Sequence, residues 1–495
     1  MGDNSYKKIL YATSIFGGVQ VLVVIIGIIK SKFIAVILGS IGFGIIGLLQ
    51  SSLTLITSLT NFGLRISSVQ FLSKLTKIED EKKISETITI IKRLVWFTGL
   101  LGALITWIFS SYISELTFGN LKYSIFFKWL SVTLLLNQIS IGQNAILQSF
   151  RKINLLAKST LLGNFSSLIF IIPIYYFYEI DGIIPVFIIT SLFTLLFSWY
   201  FSQKIKIQKQ NVDLQQTLEV SKSILYFGFI ISLSTLLTVL VTFLIRVFIG
   251  KIGSIEQVGL YTAGFALINS YVGLIFKAIS YDYFPRLSSV SNDNPIMINT
   301  VNKQAEIMLL ILTPVLVLFI IFNKVIILLL YSIEFVEITN MLYLVCCGTF
   351  LKAISWSISF VFLSKEDKKI YFWNELFTNI YFLFFSVFGY YYFGLIGVGC
   401  AYMLTYTFYL IQVYQISKKR YGFFFSSYFI RILKYSFPSV ILIVLVAFCF
   451  NDFWLYLIGL MILIFSLKFS FNELEDKVGL KNLINSILKT KIFKK

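Results

Sequence analysis

The stretch "YLVCCGTFLKAISWSISFVFL" (residues 343–363) consists almost entirely of apolar and small residues and carries one charged side chain, Lys352. A transmembrane helix needs about 20 mostly apolar residues to cross roughly 30 Å of hydrocarbon. The stretch is therefore long enough to span a membrane. The lysine near its middle is the feature that requires an explanation.

Similar apolar runs recur along nearly the whole chain of 495 residues, which is 57% hydrophobic and only 13% charged. This composition excludes a set of soluble domains and predicts an all-α polytopic membrane protein with about 14 transmembrane helices. We place the spans at residues 9–37, 44–72, 90–112, 124–150, 155–178, 182–203, 223–250, 257–285, 305–330, 338–363, 370–393, 395–417, 433–450 and 453–471.

The formal net charge of +19 could indicate either a nucleic-acid partner or the charge asymmetry of a membrane protein. The positions of the basic residues along the chain distinguish the two. With the N-terminus inside, 32 of the 42 lysine and arginine residues fall on the inner side. This asymmetry follows the positive-inside rule and predicts both termini in the cytoplasm, without nucleic acid. The outer connections and outer span ends hold six: Lys30, Lys32, Lys122, Lys128, Lys251 and Lys324.

The long inner loop around residues 204–222 predicts the division of the chain. We expect an N-terminal six-helix bundle at 1–220, a second at 221–417, and two additional helices with a basic amphipathic tail at 418–495. The segment "KFIAVILGSIGFGIIG" (32–47) aligns with "RVFIGKIGSIEQVGLYT" (246–262) after one insertion, which indicates an internal repeat of two pseudo-symmetric bundles. Chance similarity between apolar, glycine-rich segments is the alternative.

Four basic residues fall inside predicted spans, where each costs about 2.5–3.5 kcal/mol on insertion scales. Snorkelling to the interface suits lysines near span ends, such as Lys30 and Lys32, but not Lys352. An ion pair inside the bundle is one explanation for Lys352, and a hydrated cavity for an anionic substrate is the other. The few acids in the spans favour the cavity. The four are Arg65, Arg246, Lys277 and Lys352.

Uncharged polar residues share one face of the fourth span, because Asn137, Ser140, Asn144 and Gln148 are spaced by three or four positions. Such a stripe either joins helices or lines a sugar-binding cavity, and both readings remain open. Trp356, one turn from Lys352, is a candidate to stack on a sugar ring.

No enzyme chemistry or cofactor is expected from the motifs. Histidine is absent, the four cysteines have no metal-ligand spacing, and neither a P-loop nor a Rossmann fingerprint occurs. Active transport would then draw on an ion gradient, whose ion the sequence does not identify. Asp282 and Glu375, near the inner ends of their spans, are the candidate coupling carboxylates.

Six short, apolar segments extend from the first predicted span to the twelfth. They are "FIAVILGSIGFGIIGLLQSSLTLITSLTNFGL" (33–64), "NAILQSFRKINLLAKSTLLGN" (144–164), "GKIGSIEQVGLYTAG" (250–264), "DYFPRLS" (282–288), "LKAISWSISFVFLSKEDKK" (351–369) and "GLIGVGCAYML" (394–404). In this order and spacing, the segments resemble those of the bacterial polysaccharide-repeat-unit flippases. These flippases form the O-antigen flippase group of the multidrug/oligosaccharidyl-lipid/polysaccharide exporter superfamily.

The resemblance implies a V-shaped pair of six-helix bundles that works by alternating access in the inner membrane. It implies a substrate of oligosaccharide linked to undecaprenyl pyrophosphate, with a polysaccharide polymerase and a chain-length regulator as further partners. It also implies a cationic cavity, for which the matching candidates are Arg65, Arg246, Lys277 and Lys352, with Lys32 near the outer rim. The two helices after residue 430 exceed the twelve-span plan.

Two other functions are considered. A drug or metabolite exporter of the same superfamily would need buried carboxylates for cationic drugs, and the basic residues outnumber them. A membrane polysaccharide polymerase or glycosyltransferase would need a sizeable outer loop, and the outer loops are short.

Overall fold

The computed structural model describes residues 2–78, 80–205, 210 and 212–478, and these ranges contain helices and no β-strand. The helices are α1 (Gly2–Ile37), α2 (Gly39–Thr60), α3 (Leu64–Ile78), α4 (Glu81–Ile108), α5 (Ser110–Phe118), α6 (Ser124–Ser149), α7 (Ile153–Tyr178), α8 (Ile183–Ser202), α9 (Leu214–Ile252), α10 (Ile255–Leu267), α11 (Gly273–Ser289), α12 (Asn294–Ile321), α13 (Asn323–Leu330), α14 (Thr339–Ser364), α15 (Lys368–Tyr421), α16 (Ser427–Cys449) and α17 (Asp452–Val478).

Eleven segments of the described chain are long and apolar enough to cross a membrane. Three of them contain two α-helical segments: α7 and α8 are joined by the turn Glu179–Gly182, α10 and α11 are joined by the π-helical segment Ile268–Val272, and α15 bends back at Gly394. Together with α1, these helices follow the predicted spans, so the all-α polytopic fold class is confirmed. The predicted amphipathic tail, from residue 480, lies outside the described residues.

The bend inside α15 depends on glycine. Gly394 has a φ of 58°, in the left-handed region that side chains disfavour. Gly389 and Gly397 lie back to back across the bend, and a Cβ on Gly397 would sit 1.8 Å from the carbonyl oxygen of Gly389. The two halves of α15 can therefore pack as a tight hairpin, as the predicted spans 370–393 and 395–417 required.

The second predicted span, residues 44–72, is wrong as a continuous helix. The chain turns after Thr60, where Phe62 and Gly63 have φ angles of 47° and 65° and the Asn61 side chain accepts a hydrogen bond from the Gly63 amide at 2.8 Å. Asparagine and glycine favour such turns, and the apolar pattern does not register them. Arg65 consequently lies in the first turn of α3, which is not one of the eleven candidate spans.

Residue contacts divide the chain into two compact units. The first unit comprises Met1–Leu260 with Leu330–Glu334, and the second comprises Tyr261–Leu329 with Phe335–Lys495. Helix α9 lies in the first unit because it packs against α2 and α3. The predicted division of the chain into six-helix bundles at residue 220 stays a prediction.

In the first unit, the two copies of the predicted repeat contact each other at their helix starts. A Cβ on Gly44 would sit 1.9 Å from the carbonyl oxygen of Ile255, and one on Gly259 would sit 1.9 Å from that of Ser40. The contact is reciprocal, since each copy places a glycine against the backbone of the other. Nearby, Glu334 accepts hydrogen bonds from the amide and hydroxyl of Ser40, at 2.9 and 3.0 Å.

Side-chain caps define where several helices begin. The carboxylate of Asp80 accepts a hydrogen bond from the Lys83 amide at 3.1 Å at the start of α4, and Ser426 caps α16 in the same way. The hydrogen bond from the Lys83 amide, and then the Lys83 side chain, hold the pKa of Asp80 below its ordinary value. Asp80 therefore stays ionised at neutral pH. Its negative charge stabilises α4, because it lies next to the partly positive N-terminus of that helix.

In the second unit, the two additional helices α16 and α17 pack on α12. Glu306 of α12 is 3% exposed and accepts hydrogen bonds from the Ser426 hydroxyl at 2.9 Å and from the Lys477 ammonium. Asn302, one turn earlier, accepts from the Ser426 amide at 2.9 Å. A buried carboxylate requires such partners, so these contacts fasten the additional helices to the second unit.

Candidate functional site

Lys352 is the central feature of the second unit, as the fourteenth of the 26 residues of α14. Its ammonium lies 5.3 Å from the ring centre of Tyr406 and 5.7 Å from that of Phe276, and it donates a hydrogen bond to the Tyr402 hydroxyl at 3.5 Å. Tyr402 and Tyr406 stand one turn apart on α15, and Phe276 comes from α11. We call Phe276, Tyr402 and Tyr406 the aromatic cage.

The aromatic cage explains how a lysine is tolerated at this depth. An ammonium over an aromatic ring gains about 0.5–2 kcal/mol, so two rings offset much of an insertion cost of about 2.5–3.5 kcal/mol. None of the ion pairs among the described residues involves Lys352. The ion-pair explanation therefore does not hold there, and the positive charge of Lys352 is not neutralised by a direct carboxylate contact.

Two other predicted residues lie around the aromatic cage. Glu375 is half-buried on α15 and accepts a hydrogen bond from the Tyr409 hydroxyl at 3.1 Å; Tyr409 follows Tyr406 by one turn. Trp356 packs edge-on against Phe276, with ring centres 5.5 Å apart. Lys352, Trp356 and Glu375 are thus brought into one region of the second unit.

The first unit contains a separate polar cavity of about 420 Å³, which we call the first-unit cavity. It lies among α1, α2, α6, α7 and α8, and no aspartate or glutamate is among the described residues that line it. Lysine and neutral hydrogen-bonding groups form its polar lining. They are Lys30, Gln50, Thr54, Thr57, Ser58, Thr133, Asn137, Ser140, Asn144, Tyr175, Thr190, Ser191 and Thr194.

Three buried oxygen atoms on this lining have no hydrogen-bond partner within the described part of the chain: Asn144 Oδ1, Thr133 Oγ1 and Thr190 Oγ1. Leaving a buried polar atom unpaired costs about 1–3 kcal/mol. Unpaired buried polar atoms are rare in native proteins and require an explanation. Because the three oxygens line one cavity together with Lys30, the cavity is suited to a ligand that carries hydroxyl and anionic groups. Asn137 and Asn144 both line this cavity, and their role in sugar binding stays a prediction.

The remaining predicted residues are not gathered at either site. Arg65 and Lys277 are exposed, as is Gln148, which does not line the first-unit cavity. Arg246 is half-buried on α9. Lys32 is half-buried and donates a hydrogen bond to the carbonyl oxygen of Tyr331 at the predicted outer end of the first unit.

Asp282 also departs from the expected environment. Its side chain is 79% exposed and pairs with Arg286 one turn later, at 3.6 Å. Surface pairs of this kind contribute little energy and do not hold a carboxylate in an apolar environment. Of the two candidate coupling acids, Glu375 alone is half-buried beside a lysine site.

Sequence reasoning missed Lys30 as a cavity residue and the tyrosines of the aromatic cage. Lys30 stands seven residues before the end of α1, about 10 Å at 1.5 Å per residue, which is already deep for snorkelling. Tyr402 and Tyr406 are hidden among 28 tyrosines, and only the fold shows that they face Lys352.

An all-helical chain with long apolar spans and polar, basic sites inside each unit belongs to the class of multi-pass membrane proteins with a transporter fold. The chain resembles solved structures of that class throughout its length. "Lipid II flippase MurJ" in an inward closed conformation aligns with a TM-score of 0.71 at 14% identity, covering 94% of this chain and 99% of that chain.

Two further structures share the fold. An inward-facing multidrug resistance MATE family transporter of the MOP superfamily has a TM-score of 0.71 at 14% identity, with 81% of this chain and 94% of that chain covered. A MOP superfamily transporter from Pyrococcus furiosus has a TM-score of 0.61 at 12% identity, with 83% and 95% covered. At these identities the likeness establishes the fold alone.

The sequence itself places the chain in a family. A family model described as "Polysaccharide biosynthesis protein" matches residues 33–340, more than half of the chain. The protein therefore belongs to the polysaccharide biosynthesis protein family, and the family predicted from the sequence is confirmed. A comparison with curated proteins finds no match.

Proposed function

We propose that this protein is a flippase that moves undecaprenyl-pyrophosphate-linked oligosaccharide units across the bacterial inner membrane by alternating access, for O-antigen or other surface polysaccharide. The observation that carries the proposal is the pair of intramembrane lysines, Lys30 and Lys352, neither of which has an ion-pair partner among the described residues. A pyrophosphate group is an anion that such lysines can hold.

The first-unit cavity supports the sugar part of this proposal. Sugar hydroxyls both donate and accept hydrogen bonds, and the cavity offers amides and hydroxyls together with unpaired acceptor oxygens. A polyprenyl tail can stay in lipid while the polar head group crosses, which avoids moving a bare anion through hydrocarbon. The family match to polysaccharide biosynthesis and the fold shared with a lipid II flippase agree with this substrate class.

The orientation, energy source and partners form part of the proposal. The distribution of basic residues supports an orientation with both termini in the cytoplasm. Glu375 is the better coupling carboxylate, because it lies half-buried beside the aromatic cage whereas Asp282 is exposed. A polysaccharide polymerase and a chain-length regulator would act on the flipped unit, and the flippase itself would carry out no reaction and need no cofactor.

A multidrug exporter is the second candidate, because MATE transporters share the fold. A cationic drug requires a buried carboxylate, and Glu375 is one that the second unit could offer. The neighbouring Lys352 argues against it, since an ammonium in the same region repels a cation.

The test is reconstitution of the full-length chain in liposomes that contain lipid-linked oligosaccharide, followed by digestion of the outward-facing sugar with an impermeant glycosidase. We expect the protein to expose the oligosaccharide pool that protein-free vesicles keep protected. Lys352→Met should reduce the rate, whereas Lys158→Met, an exposed lysine on α7 outside both sites, should not. Failure of the folded native chain to exceed protein-free vesicles, with and without a proton or sodium gradient, would refute the proposal.

A further inference from the structure

Three helices of the first unit form a long groove that the transport sites do not use. Helices α4 and α8 both pack along α6 but make little contact with each other, so α6 becomes the floor and the other two become the walls. Two cavities of about 550 and 800 Å³ lie along this floor and share Lys92, Gln143, Ile146 and Trp199. We call their combined space the α4–α6–α8 groove.

One part of the groove is apolar and has the length of a lipid chain segment within one leaflet. Val95 of α4 and Leu195 of α8 line its walls, and Leu135 and Ile139 of α6 line its floor. Along the floor, the distance from Gln143 to Leu135 is eight residues, or about 12 Å. One leaflet of a membrane contributes roughly 15 Å of hydrocarbon, so this part reaches from near the interface most of the way to the membrane centre.

The other part of the groove is polar and opens at the inner ends of the three helices. Ser85, Thr89, Ser202 and Gln203 line it, and the Ser202 hydroxyl donates a hydrogen bond to Gln143 Oε1 at 2.6 Å. Trp199 borders both parts and is about half exposed, as tryptophan commonly is at a membrane interface.

Lys92 stands where the apolar and polar parts meet. Its side chain is exposed, and it takes part in none of the ion pairs among the described residues. The one acid among the described residues of the lining, Glu81, lies eleven residues earlier on α4, about 16 Å away along the helix. Among the described residues, Lys92 therefore places in the groove a positive charge without an ion-pair partner, near the predicted inner end of the span.

We propose that the α4–α6–α8 groove binds an anionic phospholipid of the inner leaflet, with its phosphate at Lys92 and one acyl chain along α6. Basic pockets between transmembrane helices on the cytoplasmic side are suited to acidic head groups. The single-leaflet length of the apolar part favours a phospholipid over the longer polyprenyl carrier. This site lies on a different face of α6 from the first-unit cavity, and it does not rest on the proposed transport activity.

Photolabelling of the purified full-length protein tests the assignment. The protein is placed in phosphatidylcholine vesicles with a trace of lipid that carries a diazirine on its chain, and labelled peptides are identified by mass spectrometry. We expect phosphatidylglycerol to label residues 135–146 and 195–199 about fivefold more than phosphatidylcholine does, the factor that one lysine near a membrane surface provides. Lys92→Gln should abolish this preference.

Two control variants make the result specific. Lys92→Arg should keep the preference for phosphatidylglycerol, and Lys158→Gln, an exposed lysine near the inner end of α7, should leave it unchanged. Equal labelling by the two phospholipids in the native chain would identify ordinary boundary lipid and overturn the proposal. Stronger labelling by a photoreactive polyprenyl phosphate would assign the groove to the carrier and overturn it as well.

A thermal measurement in detergent supplies an independent readout. A ligand that binds only the folded state raises its melting temperature. Added phosphatidylglycerol should raise the melting temperature of the native chain more than phosphatidylcholine does, and this difference should vanish in Lys92→Gln. Equal shifts by both lipids in the native chain would contradict a charge-selective site.

Discussion

Each of the two units places a lysine at a candidate site, Lys30 in the first unit and Lys352 in the second, but the chemistry around the two lysines differs. In the second unit, Lys352 contacts the aromatic cage, whose rings and phenol are themselves partners for an ammonium. In the first unit, Lys30 lines a cavity of amides and hydroxyls, three of which have unpaired oxygens.

The two sites differ in what they need. The protein itself provides contacts for the charge of Lys352, whereas the unpaired oxygens of the first-unit cavity need water or a ligand. The aromatic cage offsets the cost of burying Lys352 whether or not a substrate is present, so this lysine is preorganised for an anion. The unpaired oxygens of the first-unit cavity are costly unless water or a ligand satisfies them. Within the proposed function, Lys352 is therefore the candidate anion-binding residue of the second unit, and the first-unit cavity is the candidate site for hydroxyl groups in the first unit.

The largest effect should follow from Lys352→Met, which keeps the length of the side chain and removes its charge. Flipping in liposomes should fall about 10- to 100-fold, because one charge-assisted hydrogen bond to phosphate is worth about 1.5–3 kcal/mol. The protein should still insert, since a neutral side chain is easier to bury. Native flipping rates in this variant would remove Lys352 from the substrate site.

Much of the fold could be predicted from the sequence because the membrane imposes a simple length rule on apolar helices. The spans around Lys352 and the break before Gly394 follow from that rule and from glycine chemistry. The turn at Asn61–Gly63 was missed because the residues on both sides of it are apolar, so hydropathy alone merges two helices.

The sites were less predictable, since they depend on which helix faces meet. Asn137 and Asn144 could be placed on one face of α6 from their spacing, but that spacing also included Gln148, which the fold leaves exposed. Lys30 was explained as a snorkelling residue because nothing local shows that α2, α6, α7 and α8 close a polar cavity around it. Burial and partners are properties of the packed bundle.

Lys30→Met should have a smaller effect than Lys352→Met, because neutral groups of the first-unit cavity remain available to the substrate. We expect flipping to fall about fivefold to tenfold, the equivalent of about 1–1.4 kcal/mol. Lys128→Met provides the matched control, as a lysine near the predicted outer end of a first-unit helix that does not line the cavity. A larger loss for Lys30→Met than for Lys352→Met would reverse the assignment of the two lysines.

Removal of one ring of the aromatic cage should have a moderate effect. Tyr406→Leu keeps the volume roughly constant but removes a cation–π contact worth about 0.5–2 kcal/mol, so flipping should fall about threefold as Lys352 loses its fixed position. Tyr381→Leu on the same helix, outside the aromatic cage, should leave the rate nearly unchanged. If both variants behaved like the native chain, the aromatic cage would not position Lys352.

The smallest effect on rate, and the sharpest test of the first-unit cavity, should come from Asn144→Leu. Its Oδ1 has no hydrogen-bond partner, so replacement by an apolar side chain of similar size removes a burial cost of about 1–3 kcal/mol and should raise the melting temperature without substrate. Ser191→Ala on the same lining is the control, because the Ser191 hydroxyl already donates a hydrogen bond to the Phe187 carbonyl oxygen at 2.9 Å.

If Asn144 binds the sugar, Asn144→Leu should also lose part of the thermal stabilisation that lipid-linked oligosaccharide gives the native chain. A variant that gained stability yet kept the full substrate response would show that Asn144 is unsatisfied for a reason other than sugar binding.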